Sequence, residues 1–139
     1  MNAYSCTECG RCTSECPANQ TGKKLSPRKI MMDTRDRLEK VSLNISNNKG
    51  KFVDDGDRLL DNYISKEELW ACTSCNACVE ACPINIDPLS IIMDMRQYLI
   101  MEESSAHPDL NNMMNNIENN GAPWPYNQLD LSLIHISEP

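Results

Sequence analysis

Eight cysteines carry the clearest chemistry in this sequence, and all of them fall in two stretches of identical spacing. The first stretch is CTECGRCTSECP, from Cys6 to Pro17, and the second is CTSCNACVEACP, from Cys72 to Pro83. Both follow C-x2-C-x2-C-x3-C-P. Thiolates are strong metal ligands. Three of them at such short spacing let one loop wrap a corner of a metal cluster, with each thiolate on a different metal atom.

Several kinds of cysteine site are compatible with this pattern. Disulfides would need an oxidising compartment, and successive x2 spacings suit them poorly. Structural zinc commonly uses two separated pairs of ligands. A redox-active CxxC would belong to a thioredoxin-like βαβ unit, which the sequence lacks. Two complete copies favour two [4Fe-4S] clusters, with zinc or a three-iron form as the remaining alternatives.

The motifs resemble those of bacterial two-cluster ferredoxins, in which the fourth cysteine of one motif binds the cluster of the other. The resemblance implies two ligand sets that exchange one cysteine. Cluster A takes Cys6, Cys9, Cys12 and Cys82, and cluster B takes Cys72, Cys75, Cys78 and Cys16. Such an exchange would tie the two halves of the chain together.

The repeat is larger than the cysteines, because each motif is followed by a similar helix pattern. The two segments are SPRKIMMDTRDRL (Ser26–Leu38) and DPLSIIMDMRQYL (Asp87–Leu99). Ser26 and Asp87 are predicted N-caps, each followed by proline at the first helical position. The offset is 66 residues for the cysteines and 61 for the helices, so the first half carries an insertion of five residues.

Apolar residues recur at helical spacing in both segments and predict their buried faces. The sets are Ile30, Met31, Thr34, Leu38 and Val41 in the first, and Ile91, Ile92, Met95, Leu99 and Met101 in the second. The matched pairs Asp33/Arg35 and Asp94/Arg96 either orient the helices or, as we expect, form a solvated face. Tyr4 and Trp70, at equivalent positions before the motifs, are predicted to shield the cluster edges. Backbone N–H groups of residues 7–13 and 73–79 are predicted donors to sulfur.

The remaining elements predict an all-α fold with a pseudo-two-fold repeat of loop and helix, since strand signals are nearly absent. Ser65–Glu68 has the form of a capping box. A polar insert over about 42–64 predicts a linker with a short helix at Arg58–Tyr63. HPDLNNMMNNIENNG predicts a last helix that ends at Gly121, with a Met-rich face assigned to the core.

Composition limits the other functions. A net charge of -7 and a pI of about 4.7 argue against a general nucleic-acid binder. The charge is uneven, with +3 over residues 1–60 and -10 over 61–139. Few aromatic residues predict a thin core that needs a metal staple. The most apolar stretch, Leu89–Met101, is too short to span a bilayer. His107 and His135 are isolated, so we expect no substrate-converting site.

The helical insert between the motifs resembles the α-helical ferredoxin domain of the iron-sulfur subunits of succinate dehydrogenase and fumarate reductase. The chain is more similar to the group formed by the C-type subunits of heterodisulfide reductase and of glycerol-3-phosphate dehydrogenase, in which a helix follows each of two CxxCxxCxxxCP motifs. It also resembles Bacteroidetes-type (Fe-S)-binding oxidoreductases, on the segments CTECGRCTSECPANQTGKKLSPRKIMMD, ELWACTSCNACVEACP and NNIENNGAPWP.

These resemblances imply an electron-transfer component of a larger, membrane-associated oxidoreductase, with a CCG-domain or flavin-containing subunit as partner. Oxygen-labile clusters imply the cytoplasm or the cytoplasmic face of the inner membrane. The alternative is a module in which clusters or zinc have only a structural role. We expect one domain over 1–130 of a longer protein. Residues 131–139, LSLIHISEP, resemble a translated sequencing adapter and are predicted to be an artefact.

Overall fold

A computed structural model of the chain describes residues 2–126, so the adapter prediction for 131–139 lies outside the described residues. The chain divides into two compact units, Met1–Tyr98 and Leu99–Pro139. The described part contains helices and no β-strand, which confirms the all-α prediction. In chain order the helices are α1 (Asn2–Ser5), α2 (Arg11–Ser14), α3 (Pro17–Gln20), α4 (Pro27–Asn47), α5 (Lys66–Trp70), α6 (Ala77–Glu80), α7 (Pro88–Met101) and α8 (Pro108–Asn120).

The two long helices begin as the sequence predicts. The Ser26 hydroxyl accepts a hydrogen bond from the Lys29 N–H at the start of α4. The Asp87 carboxylate accepts one from the Ser90 N–H, at 3.1 Å, at the start of α7. Proline occupies the first helical position in both cases, where its missing N–H costs nothing. Each half therefore contains a cysteine loop followed by a helix with the same start.

The segment predicted as a linker over 42–64 begins later than expected, because α4 continues to Asn47. Asn44, in the last turns of α4, brackets the following chain: its amide donates to the Val53 carbonyl, and its Oδ1 accepts from the Val53 N–H. The predicted helix at 58–63 is an irregular turn, Leu59–Tyr63, whose inner residues Leu60 and Asp61 have non-helical dihedrals. These are tertiary effects that polar composition does not reveal.

An ion pair also fastens this connection to α4. Arg37 is nearly buried, and its guanidinium donates to both carboxylate oxygens of Asp55, at 2.6 and 2.8 Å. These hydrogen bonds lower the pKa of Asp55 to about 2. The pair closes 18 residues of chain with a planar two-point contact, which is the strongest kind of side-chain ion pair.

The first unit has a small core built from both halves of the repeat. Its fully buried side chains include Leu25, Ile30, Met31, Ile64, Leu69 and Ile92. Ala3 of α1, Met31 of α4 and Ile86 form one buried cluster, against which Cys6 and Cys82 pack. Leu38 and Met101, predicted on the buried faces, are 44% and 69% exposed. The apolar stripe therefore covers less of each helix than the periodicity suggests.

The short helix α5 is attached to α4 and leads into the second motif. Its predicted capping box is confirmed: the Ser65 hydroxyl accepts from the Glu68 N–H, and the Glu68 carboxylate accepts from the Ser65 N–H. Lys29 of α4 donates to Glu68 at 2.8 Å and to the Tyr63 carbonyl at 2.9 Å. Burial opposes ionisation of Glu68, but the contacts with Lys29 and Ser65 outweigh it and lower its pKa.

The second unit contains the predicted last helix, α8, which Gly121 ends with φ 70°. Only glycine adopts this left-handed conformation without cost. Met113, Met114 and Ile117, predicted as core, are 37%, 39% and 47% exposed. Within residues 2–126, no helix is both long enough and apolar enough to cross a membrane.

Candidate metal centre

The two cysteine loops have the same unusual backbone. Glu8 and Ser74, each just before the second cysteine of its motif, have φ of 58° and 56°. Gly10 and Asn76, each just after that cysteine, have φ of 81° and 61°. Glycine and asparagine tolerate this left-handed region, whereas it strains other residues. These left-handed residues turn each loop tightly. Helix α2 begins directly after the first loop, and α6 directly after the second.

The first loop and the end of the second motif surround a cavity that opens to solvent, here called cavity A. Its cysteines are Cys6, Cys9, Cys12 and Cys82. The other lining residues are Thr7, Gly10, Arg28, Met31, Pro83, Ile84, Ile86 and Pro88. The structure thus brings Cys82 to the same cavity as the three cysteines of the first loop, Cys6, Cys9 and Cys12.

The second loop and the end of the first motif surround a second cavity, here called cavity B. Its cysteines are Cys16, Cys72, Cys75 and Cys78. The other lining residues are Ala18, Leu25, Pro27, Thr73, Asn76, Leu89 and Ile92. Every one of the lining residues of cavity B corresponds, by an offset of 66 or 61, to a residue lining cavity A. The cavities are therefore related by the internal repeat.

The cysteines surround these cavities and do not converge on single points. Among the described residues, no three His, Cys, Asp or Glu side chains form a group that could hold one metal ion. A [4Fe-4S] cluster places each thiolate on a different iron, so its ligands stand around a volume. Four thiols around each apolar cavity fit such a cluster in number and in chemistry.

Backbone N–H groups of the described residues donate to cysteine sulfur. The Ser74 N–H donates to Cys72 Sγ at 3.4 Å, and the Ile86 N–H donates to Cys82 Sγ at 3.3 Å. Ser74 lies within the range of donors that the sequence predicts. Ile86 lies outside it, since it follows the motif by four residues. Hydrogen bonds to cluster sulfur are one of the determinants of reduction potential.

The thiols differ in their ease of ionisation. Burial raises the pKa of Cys78 to about 11, and burial likewise raises the pKa of Cys12, which occupies the equivalent position in the first loop. A hydrogen bond from the Ala77 backbone instead lowers the pKa of the exposed Cys75 thiol. Because metal ligation requires the thiolate, metal binding must displace a proton from each of these two thiols.

Two arginines hold the loops from the long helices, which the sequence interpretation missed. Arg35 of α4 forms an ion pair with Glu8 in the first loop. Arg96, the equivalent residue of α7, donates through Nε to the Leu69 carbonyl at 3.0 Å and through Nη2 to the Cys72 carbonyl. Their matched positions in the repeat were visible in the sequence. Their partners were not, because a solvated face and a loop contact have the same pattern.

The aromatic residues before the motifs lie elsewhere than predicted. Tyr4 is 53% exposed and Trp70 is 40% exposed, and neither is among the residues that line the two cavities. The Trp70 ring instead stacks with the Arg96 guanidinium, 5.0 Å from its centroid. Trp70 therefore supports the arginine that holds the second loop.

The cavities lie within the part of the chain that matches a known family. Residues 5–86 match the family model described as "4Fe-4S dicluster domain". The chain is 31% identical to the probable iron-sulfur-binding oxidoreductase FadF of Bacillus subtilis, over 92% of this chain and 22% of that protein.

Further relatives carry related names. A probable membrane-anchored ferredoxin of Chromohalobacter salexigens is 33% identical over 73% of this chain and 17% of its own length. The C-type subunit of the ferredoxin/F(420)H(2)-dependent CoB-CoM heterodisulfide reductase of Methanosarcina acetivorans is 30% identical over 73% of this chain and 49% of its own. The chain thus spans about a fifth of the first two relatives and about half of the third.

Proposed function

Because this chain belongs to the 4Fe-4S dicluster domain family, we propose that it relays single electrons through two [4Fe-4S] clusters within a larger oxidoreductase. The observation that carries this proposal is the lining of the two cavities. Each holds three cysteines of one motif and the fourth cysteine of the other. When bound, each cluster takes up and gives away one electron with no bond made or broken.

The proposed ligands of cluster A are Cys6, Cys9, Cys12 and Cys82, and those of cluster B are Cys72, Cys75, Cys78 and Cys16. Support comes from the shared core that holds the two motifs side by side. Met31, Ala3 and Ile86 pack beneath Cys6 and Cys82, which excludes water from that side. In each set one ligand, Cys9 or Cys75, is exposed. These two thiols mark the edges at which electrons would enter and leave.

Protein redox partners follow from the relatives, which are oxidoreductases and their subunits. We propose more specifically that a CCG-domain or flavin-containing subunit stands at one end of the relay. The relative that is named as part of a heterodisulfide reductase supports this class of partner. We also propose a location in the cytoplasm or on the cytoplasmic face of the inner membrane, for which the membrane-anchored ferredoxin relative is the support.

Electron paramagnetic resonance (EPR) of the anaerobically reduced protein tests this function. We expect iron and sulfide for two clusters per chain, and magnetically coupled signals, since α2 and α6, which contain Cys12 of one set and Cys78 of the other, are in contact. Cys9→Ala should halve the iron and leave one uncoupled signal. A protein that binds zinc at the cysteines, or whose clusters accept no electron, would exclude the relay and favour a structural role.

A further inference from the structure

Each lining residue of cavity B has a counterpart that lines cavity A, and one of these pairs differs in charge. At this position, the second residue of the long helix, cavity A has Arg28 and cavity B has Leu89. The neighbouring wall positions are alike, with Met31 in cavity A and Ile92 in cavity B. The helix starts differ in charge, since the cap of α4 is the Ser26 hydroxyl and the cap of α7 is the Asp87 carboxylate. Cavity A is therefore lined by a residue that carries a positive charge, where cavity B is lined by an apolar one.

The charge of Arg28 is not neutralised by a described carboxylate. The Arg28 backbone N–H donates to Thr13 Oγ1 at 3.3 Å, which fixes the start of α4 against α2. Its guanidinium is exposed and forms no ion pair with another described residue. Arg11, in the first loop, adds a second cation where the second loop has Ala77. Both differences make the surroundings of cavity A more positive.

The other charges near the loops do not reverse this difference. Glu8 of the first loop is paired with Arg35, so the two charges largely cancel. Arg96 keeps its charge against the Cys72 carbonyl of the second loop, although it does not itself line cavity B. Glu80 and Asp94, on α6 and α7, are exposed acids of that half. Asp87 lies between Ile86 and Pro88 of cavity A, where its matched residue is Ser26, so its carboxylate offsets one of the two cations, Arg11 and Arg28, and leaves the other.

We infer that Arg28 makes the cluster in cavity A the one of higher potential, so that an electron entering the chain comes to rest there. The inference rests on the proposed function. Reduction adds one electron from a one-electron donor, such as a reduced flavin or iron-sulfur partner, and moves no proton and no ligand. A nearby cation stabilises the more negative, reduced cluster through its Coulomb energy. A leucine at the same place gives no such stabilisation.

Anaerobic redox titration followed by EPR measures this difference on the protein with both clusters. Arg28→Leu should lower the higher of the two potentials and leave the lower one in place. Leu89→Arg should raise the lower potential, and the double exchange should reverse the order. Arg28→Lys keeps the charge and is the matched control, so it should retain most of the gap. We expect Arg28→Leu to change the ratio of electrons on the cluster of cavity A to electrons on the cluster of cavity B at least tenfold. This corresponds to about 59 mV for a one-electron couple.

Single-cluster variants assign each potential to its cavity. Cys75→Ala should leave only the cluster of cavity A, and Arg28→Leu should then lower its potential. Cys9→Ala should leave only the cluster of cavity B, whose potential Arg28→Leu should not move. Two unchanged potentials in Arg28→Leu, or a fall of the lower one alone, would overturn the inference. The wild-type iron content and EPR signals decide the proposed function separately, because they do not depend on which potential is higher.

Discussion

At the scale of residues, left-handed backbone positions shape the cysteine loops. Glu8, Gly10, Ser74 and Asn76 have positive φ at equivalent places of the two motifs. The same turn is thus made with glycine in one loop and asparagine in the other. Both residue types enter this region at low cost, one because it lacks Cβ and the other because its short side chain bonds locally.

Substitution of Gly10 tests this requirement. Gly10→Ala should destabilise the first loop by about 1–2 kcal/mol, the cost of the left-handed conformation for a residue with Cβ. A steric clash would not contribute, since an added Cβ meets no atom within 4 Å. Gly10→Asn, which copies the second loop, should behave like the wild type. The thermal midpoint and the iron content per chain, measured anaerobically, separate the variants. If Gly10→Ala and Gly10→Asn lost the same amount of stability and iron, the positive φ would not be the reason for glycine at this position.

At the scale of elements, each long helix serves as the support of its own cysteine loop. Helix α4 holds the first loop through Arg35 and Glu8, and α7 holds the second through Arg96 and backbone carbonyls. The two contacts differ in kind, since one joins side chains and the other joins a side chain to the main chain. A guanidinium can satisfy two carbonyls at once because its donors lie in one plane.

Removal of Arg96 should loosen the second loop more than the first. We expect Arg96→Leu to speed the loss of about half of the cluster absorbance in dilute oxygen, because the Leu69 and Cys72 carbonyls lose their donor and Trp70 its stacking partner. Arg96→Lys should give an intermediate rate, since one ammonium cannot reproduce the fork.

Arg35→Leu is the matched control for this experiment. It should speed the loss of the other half of the absorbance, and more weakly, because its ion pair with Glu8 is exposed on the Glu8 side. The variant Cys9→Ala, which should retain only the second cluster, identifies the half that Arg96 protects. An equal effect of Arg96→Leu on both clusters would contradict a support confined to the second loop.

At the scale of the whole molecule, the two motifs of the first unit depend on each other. Each cavity takes its fourth cysteine from the other half of the repeat. The core beneath them combines α1, α4 and the segment after Cys82. A chain with so few large side chains gains stability from any ligand that joins distant segments. The clusters are expected to act in this way as well as to carry electrons.

Pairs of cysteine substitutions test the crossed ligation. Cys16→Ala with Cys75→Ala should remove half of the iron, no more than either change alone, because both cysteines belong to cluster B. Cys16→Ala with Cys9→Ala should remove nearly all of it, since the two belong to different clusters. Iron and labile sulfide per chain give the answer directly. If Cys16→Ala with Cys9→Ala instead removed only half of the iron, the two cysteines would belong to one cluster, and each motif would hold its own cluster.

The sequence by itself determined the features that depend on neighbouring residues. The helix starts at Ser26 and Asp87, the capping box of Ser65 and Glu68, and the stop at Gly121 all appear as predicted. Each is a contact within one turn of the chain, so residue type and spacing are enough to specify it. The internal repeat, too, was readable from spacing alone.

Only the tertiary structure decided what depends on residues far apart. It showed that α4 runs to Asn47, that Arg96 reaches the Leu69 carbonyl, and that Arg28 faces cavity A where Leu89 faces cavity B. Composition and periodicity do not encode such contacts, because the same exposed arginine can end in solvent or against a loop. The long-range packing of the two halves makes that choice, and with it the difference between two otherwise matching sites.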